Sequence, residues 1–173
     1  MNNYKIRDAR QADREMIQSV TLSAYEQYAA VMKENWKYYR GNILDTLADP
    51  KPAEQIVAET DHGVVGTVLL YPAGTQLHGP DGKLVSLEVP EVRLLAVTVS
   101  ARGQGIGVAL MQECIRRARQ SGAVSLGLHT TDMMGVAMRM YERMGFARVP
   151  ALDLRPAEGI VVKGYRIKLD SSA

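Results

Sequence analysis

The chain has 173 residues, of which 46% are hydrophobic and 23% are charged, and this composition excludes disordered and collagen-like proteins. Its 21 basic and 19 acidic side chains leave a net charge of +2, so the charge favours neither nucleic acid nor an anionic membrane as a partner. The length fits one domain over residues 1–173, whose partner is expected to be a small molecule or a peptide.

The cysteine and histidine content predicts neither disulfides nor a metal site. Cys114 is the single cysteine, and the three histidines, His62, His78 and His129, are too far apart in sequence for a zinc-binding pattern. The first residues are charged and no apolar stretch follows them, which predicts no signal peptide. No apolar segment is long enough to cross a bilayer, so a cytoplasmic location is expected.

The first half of the chain predicts a strand, two helices and a β-hairpin. Residues 4–7 form the strand, and a helical region runs with interruptions to about residue 47. Residues 55–60 and 64–71 are rich in β-branched side chains, and Gly63 in the short turn between them can adopt a positive φ. These two runs therefore predict an antiparallel hairpin.

The second half alternates strands and helices. A turn region covers residues 74–82, and a strand-like stretch over 84–99 is interrupted at Pro90, which favours a sheet edge or a bulge there. The elements that follow are a helix over 105–120, a strand over 123–130, a helix over 133–144, and strands over 145–149 and 160–169. The first of these helices is predicted to have Gly122 as its C-terminal cap and one apolar stripe, formed by Leu110, Cys114 and Ala118. This mixed order indicates an α+β fold rather than a doubly wound parallel sheet.

A strand leads through a glycine-rich turn directly into a helix over residues 94–107. The first N–H groups of a helix lack carbonyl partners, and glycines let an anion approach the backbone, so this segment predicts a phosphate site. A P-loop is excluded because Val108 and Ala109 follow Gly107 where Lys and Ser or Thr are required. A dinucleotide fingerprint is weak because Val108 occupies a position that needs Gly or Ala.

Two motifs resemble those of the GNAT superfamily of acyl-CoA N-acyltransferases. Arg102, Gly105 and Gly107 match a pattern of Arg or Gln, two residues, Gly, one residue, then Gly or Ala. Residues 137–146, Ala-Met-Arg-Met-Tyr-Glu-Arg-Met-Gly-Phe, look like the family's last motif, in which a helix carries a tyrosine and ends at Gly-Phe. The resemblance implies a central, mixed, mostly antiparallel sheet of about six to seven strands with helices on both faces.

The resemblance also implies acetyl-CoA as co-substrate and no metal. The diphosphate is expected over the glycine-rich turn, and the pantetheine arm along the backbone of the preceding strand, with an N–H near Val97 facing the developing oxyanion. Met134 stands where many family members carry an asparagine and is not included in the site. The residues expected to bind the cofactor are Val97, Thr98, Val99, Arg102, Gly103, Gln104, Gly105, Ile106 and Gly107.

Acetyl transfer to an amine requires groups that accept and donate protons, because an alkyl amine with a pKa of about 10 is protonated at neutral pH. Glu91 is the first candidate for the base, since it lies six residues before Val97 and strand alternation places both on one face. Glu88 is the alternative if Pro90 disturbs that alternation. The resemblance implies that Tyr141 donates a proton to the departing thiolate.

Aromatic residues of the first helices are the candidate acceptor-binding residues. Tyr25 and Tyr28 are three positions apart, as are Trp36 and Tyr39, so each pair should share a helix face. The resemblance implies that these helices wall the acceptor site and that a homodimer is possible. His129 is interpreted either as a proton relay or as a hydrogen-bonded structural residue.

The predicted function is N-acetyl transfer to a primary amine of an unidentified small molecule or peptide. The alternative is a non-catalytic acyl-CoA-binding or sensor module.

Overall fold

The computed structural model describes residues 3–79 and 82–170. These residues contain five α-helices and ten β-strands, and they group into two compact units. The first unit comprises the described residues within 1–70 and 94–113, and the second those within 71–93 and 114–173. A single domain over the whole chain stays a prediction.

The first unit contains an antiparallel arrangement of strands. Strand β1 (Lys5–Asp8) pairs with β2 (Glu54–Thr60), and β2 pairs with β3 (Gly63–Tyr71). The predicted hairpin is confirmed, since a two-residue turn joins β2 to β3 and Gly63 has a φ of +106°. Consecutive residues of β2 and β3 are buried, which means that both faces of these strands are covered.

The predicted helical region forms three helices: α1 (Arg14–Tyr25), α2 (Ala29–Met32) and α3 (Asn35–Ala48). Helix α2 ends at Met32, and the next residue, Lys33, has a φ of +51°, in the left-handed region that side chains disfavour. The helical run therefore stops there, and α3 begins as a separate helix. Apolar side chains of α1 and α3 contribute to the core of this unit, namely Ile17, Val20, Ala24, Ile43 and Leu47.

Helix α4 (Ile106–Gln120) packs closely on β3 at Gly66. A Cβ built at Gly66 would lie 2.9 Å from Cγ2 of Ile106 and 3.1 Å from Cδ1 of Leu110, so the absent side chain permits the approach. The predicted buried stripe of Leu110, Cys114 and Ala118 is confirmed. So is the C-terminal cap, because Gly122 has a φ of +81° and the N–H of Ala123 donates to the carbonyl of Ala118.

The second unit contains residues 91–93 of β6, the other remaining strands and helix α5, whereas residues 94–97 of β6 belong to the first unit. Strand β7 pairs in parallel with the start of β6 and antiparallel with β10, which also pairs with β8 and β9. The strands β4 and β5 form a separate hairpin, and β4 lies in the predicted turn region. The bounds are β4 (Gln76–His78), β5 (Leu84–Ser86), β6 (Glu91–Val97), β7 (Ser125–Thr130), α5 (Gly135–Arg143), β8 (Ala147–Arg148), β9 (Leu154–Ala157) and β10 (Ile160–Lys168).

Pro90 does not mark a sheet edge. The predicted long strand is two strands, and Pro90 lies just before β6, which has hydrogen-bonded neighbours on both sides, β3 and β7. Proline is tolerated because this position contributes only its carbonyl to the pairing with β7, where it accepts the N–H of Gly127 at 2.9 Å. The backbone irregularity of this segment is at Leu94, which has a φ of +51°.

The predicted α+β fold class is confirmed. The described residues form a mixed, mostly antiparallel sheet of eight strands, where six to seven were expected. No helix in the described ranges is long and apolar enough to cross a membrane.

Candidate active site

The turn before α4 has the backbone geometry that the phosphate prediction requires. Residues 102–105, here called the glycine loop, are exposed, and Gly103 and Gly105 have φ angles of +75° and +78°. A Cβ at Gly103 would meet no atom within 4 Å, and one at Gly105 would meet only the Tyr4 hydroxyl, at 3.9 Å. The loop is therefore open to a ligand.

The N–H groups of the loop are available to an acceptor. Within the described ranges, no backbone carbonyl accepts a hydrogen bond from the N–H groups of residues 103–107, and the first bond of α4 runs from Ala109 N to Gly105 O at 2.9 Å. The dipole of this 15-residue helix adds positive potential at the same end. The loop thus fits an anion such as the diphosphate of coenzyme A.

The strand before the loop is shorter than predicted. Strand β6 ends at Val97, and Val99 opens a 3₁₀ turn (Val99–Ala101), so extended pairing does not continue through Val99. The N–H of Thr98 donates to Val65 O at 2.9 Å, whereas its buried hydroxyl oxygen has no hydrogen-bond partner among the described residues. Extended backbone therefore reaches Val97, and the 3₁₀ turn leads from there toward the glycine loop.

Arg102 connects the end of β6 with the end of α1. Its Nε lies 3.4 Å from Val97 O and its Nη2 3.5 Å from Ala24 O, both long and weak hydrogen bonds. Burial raises the pKa of Tyr28, and the positive charge of Arg102 partly opposes that effect. Because these bonds are weak, the guanidinium can turn toward an anion without a large cost.

The four predicted acceptor residues form one aromatic cluster, Tyr25, Tyr28, Trp36 and Tyr39. The ring of Tyr25 lies 6.1 Å from those of both Tyr28 and Tyr39, and the ring of Trp36 lies 6.2 Å from that of Tyr39. Burial raises the pKa of Tyr39 to about 12, so its hydroxyl stays protonated at any physiological pH. The cluster offers an apolar surface with neutral hydroxyl groups.

Glu91, in the second unit, is a buried carboxylate that contacts two basic side chains. Nε and Nη2 of Arg93 both lie 2.9 Å from its Oε1, and Nδ1 of His129 lies 3.4 Å from the same oxygen. In the described part of the chain, no group donates a hydrogen bond to Oε2. Burial raises the pKa of Glu91, but His129 and Arg93 outweigh burial and lower it.

The contacts of His129 could not be predicted from the sequence. Its Nε2 lies 2.9 Å from Leu152 O. Burial lowers the pKa of His129, but the carboxylate of Glu91 outweighs burial and raises it. The parallel register of Glu91 with Gly127 and of Val92 with Leu128 brings the two side chains together, and this register has no local signal in the sequence.

The remaining candidates differ in their surroundings. The alternation argument for Glu91 does not extend to Val97, because the left-handed residue Leu94 lies between them. The alternative base, Glu88, has an exposed side chain that pairs with Arg166 at 2.8 Å. Tyr141 is buried on α5, and its ring packs edge-to-face on Phe146 at 6.0 Å. No group of three potential metal ligands occurs among the described residues.

Comparison with known proteins identifies the family. Residues 14–146 match the model of the acetyltransferase (GNAT) family. This chain belongs to the GNAT family. The match confirms the family predicted from the glycine loop and the Gly-Phe motif.

Curated relatives and solved structures agree with this assignment. The uncharacterised N-acetyltransferase C1271.07c of Schizosaccharomyces pombe is 31% identical over 127 residues, which cover 69% of this chain and 71% of that protein. The probable N-acetyltransferase camello of Xenopus laevis is 33% identical over 119 residues, 66% of this chain and half of that protein. The paia N-acetyltransferase of Thermoplasma acidophilum, solved with coenzyme A, has the same fold, with a TM-score of 0.68 and 16% identity over 95% of this chain and 98% of that chain.

Proposed function

We propose that this protein is an acetyl-CoA-dependent N-acetyltransferase that acts on a primary amine of a small molecule or peptide. The observation that carries the proposal is the glycine loop, whose unused N–H groups stand at the start of α4. The family match supports it, as do fold neighbours solved with the cofactor, including yncA of Salmonella typhimurium with acetyl-CoA, at a TM-score of 0.62 and 17% identity.

The residues of the first unit supply the cofactor site in this proposal. The N–H groups of residues 103–107, from Gly103 through Gln104, Gly105 and Ile106 to Gly107, hold the diphosphate with the charge of Arg102. The backbone of Val97 and Val99 and the hydroxyl of Thr98 bind the pantetheine arm. Acetyl-CoA, when bound, supplies the acetyl group as a thioester.

The proton transfers are assigned to the second unit. An acceptor amine must lose a proton before it can attack, and Glu91 takes this proton on Oε2, the oxygen to which no described group donates a hydrogen bond. Tyr141 gives its proton to the thiolate that leaves. We assign the aromatic cluster of the first unit to the apolar part of the acceptor, because tyrosine and tryptophan rings bind apolar or aryl groups well.

The first experiment measures the affinity for coenzyme A and the turnover of acetyl-CoA on a panel of primary amines. Gly103 and Gly159 provide a matched pair, because both are exposed, both have a φ near +75° (+75° and +76°), and a Cβ at either would meet no atom within 4 Å. Gly103→Asp places a negative charge beside the diphosphate, and we expect a loss of affinity of at least about tenfold, or ~1.4 kcal/mol.

Gly159→Asp introduces the same side chain in the turn between β9 and β10 and should leave the affinity unchanged. Equal affinities of the two variants would remove the glycine loop as the cofactor site.

A non-catalytic acyl-CoA-binding module is the second candidate. The lowered pKa of Glu91 favours it, since two cations make this carboxylate a weaker base. If coenzyme A raises the thermal midpoint of unfolding and the protein acetylates no amine, that result would support this second function instead.

A further inference from the structure

The imidazole of His129 lies between two hydrogen-bond acceptors. Leu152 O is 2.9 Å from Nε2, and Oε1 of Glu91 is 3.4 Å from Nδ1. A carbonyl and an ionised carboxylate accept hydrogen bonds but cannot donate them. Nδ1 makes no hydrogen bond within the described residues, so its approach to Oε1 is a charge contact, which attracts the carboxylate only when the imidazole carries its second proton.

Loss of the proton would turn the contact with Glu91 from attraction into repulsion. The shorter contact, to Leu152, keeps the remaining hydrogen on Nε2. The lone pair of Nδ1 would then face Oε1 of Glu91, and two acceptors at this distance repel each other. His129 therefore holds Oε1 of Glu91 in place only while the imidazole is charged.

The contacts of Glu91 are asymmetric, and this asymmetry suits proton transfer. Arg93 and His129 approach the same oxygen, Oε1, from β6 and β7. Because no described group donates a hydrogen bond to Oε2, fixing Oε1 sets the orientation of the oxygen that remains available as an acceptor. A base with one anchored oxygen presents the other in a constant position, as efficient proton abstraction requires.

We infer that His129 is a positioning residue, which as an imidazolium anchors Oε1 of Glu91 and leaves Oε2 to accept the proton of the acceptor amine. This inference rests on the proposed function, in which Glu91 is the base. Its geometric part, the charged contact between His129 and Glu91, can be tested without turnover.

The other charged groups near His129 are paired with one another. Asp132 pairs with Lys163, and Asp153 with Arg148, so Glu91 and Arg93 are the charges left to act on the imidazole. Arg93 opposes the protonation of His129, and Glu91 favours it more strongly, in agreement with the raised pKa of His129 and the lowered pKa of Glu91.

The geometric part is tested by NMR titration of the imidazole groups in the whole protein. The signals of the three histidines are assigned with His62→Asn and His78→Asn variants. We expect His129 to titrate above 6.5, its ordinary value, and its pKa to fall in the Glu91→Gln variant. A His129 that titrates at or below that value and does not respond to Glu91→Gln would overturn the inference.

The functional part is tested with two substitutions that each retain one end of the imidazole. His129→Asn keeps an N–H donor at the position of Nδ1, toward Glu91, and His129→Gln keeps one at the position of Nε2, toward Leu152. We expect Asn to retain kcat to within about tenfold and Gln to lose about a hundredfold. Equal kcat values in the two variants would show that the contact with Glu91 does not position the base.

The pH profile separates positioning from a structural role. At saturating amine, wild-type kcat should fall as the pH rises through the pKa of His129, and this fall should be absent in His129→Asn. A wild-type protein that acetylates no amine would refute the proposed function, while the NMR titration would still decide whether His129 and Glu91 are coupled.

Discussion

Gly164 and Leu152 are in backbone contact: a Cβ built at Gly164 would lie 2.6 Å from Cβ of Leu152 and 3.2 Å from its carbonyl carbon and oxygen. Gly164 also stands directly opposite His129 in the antiparallel pairing of β10 with β7. The 3₁₀ turn Pro150–Leu152 therefore lies on β10 at this point, and its last carbonyl reaches Nε2 of His129. The absence of one side chain thus determines where the acceptor for His129 lies.

We predict that Gly164→Ala destabilises the protein by about 1–3 kcal/mol, because the new methyl group overlaps backbone that cannot move freely. The turn should shift, and His129 should lose its contact with Leu152. Urea unfolding measures the first effect, and the NMR signal of His129 reports the second.

The control for this variant is Gly41→Ala. Gly41 lies in α3, and a Cβ there would meet no atom within 4 Å, so the same substitution should stabilise the protein by about 0.5–1 kcal/mol. A Gly164→Ala variant as stable as the wild type would contradict the close contact.

Gly66→Ala is expected to affect the start of α4. The added Cβ would lie 2.9 Å from Cγ2 of Ile106, a β-branched side chain with little freedom to move away. Because Ile106 belongs to the first turn of α4, we expect a loss of about 1–2 kcal/mol in stability and weaker binding of coenzyme A. Unfolding and calorimetric titration measure the two effects.

Gly127→Ala provides the comparison, since Gly127 also lies in a strand but its Cβ would be no closer than 3.4 Å to Val89. That variant should bind coenzyme A as the wild type does. If both variants bind equally well, the packing of α4 on Gly66 does not control the loop.

Structural elements that depend only on a few neighbouring residues were predicted from the sequence. The hairpin at Gly63, the buried stripe of α4 and its cap at Gly122 follow from turn glycines and from helical spacing, which act within a few residues. The glycine loop was predicted for the same reason, because strand, glycines and helix are contiguous. These elements account for the correct fold class.

Features that depend on partners far away in sequence were not predicted. The pairing of Glu91 with His129 requires the register of two strands that are distant in sequence, in which Glu91 stands opposite Gly127, and packing sets this register. The left-handed backbone at Leu94 has no sequence signal either, since leucine disfavours that conformation and only the surrounding strands can impose it. The parity argument for Glu91 failed at this residue.

Because of the ion pair between Asp153 and Arg148, we expect part of the free energy of unfolding to be lost at acid pH. Nη1 of Arg148 lies 2.7 Å from Oδ1 of Asp153, and the N–H of Gly164 donates to the same oxygen at 3.0 Å. Arg148 first, and then this N–H, lower the pKa of Asp153 from 3.8 to about 2. The contribution is therefore present above pH 3.8 and is lost as the pH falls toward 2.

The urea concentration at the midpoint of unfolding should fall as the pH is lowered from 5 to about 2. We expect Asp153→Asn to reduce the slope of this dependence. Arg148→Gln should reduce the same slope, because it removes the main cause of the shift, whatever its own effect on stability at neutral pH. Unchanged slopes in both variants would show that this pair does not contribute to acid unfolding.

Tyr141→Phe tests the assigned proton donor. The variant keeps the ring that packs on Phe146 and removes only the hydroxyl, so the protein should stay folded and bind coenzyme A with unchanged affinity. If that hydroxyl protonates the thiolate, kcat should fall about 10²–10⁴-fold.

Tyr165→Phe is the matched control, because Tyr165 is also buried and donates to Glu142 at 3.0 Å. Its loss should cost about 1–3 kcal/mol of stability with little change in kcat. Equal turnover in the two variants would leave Tyr141 without a catalytic role and would assign the proton to solvent.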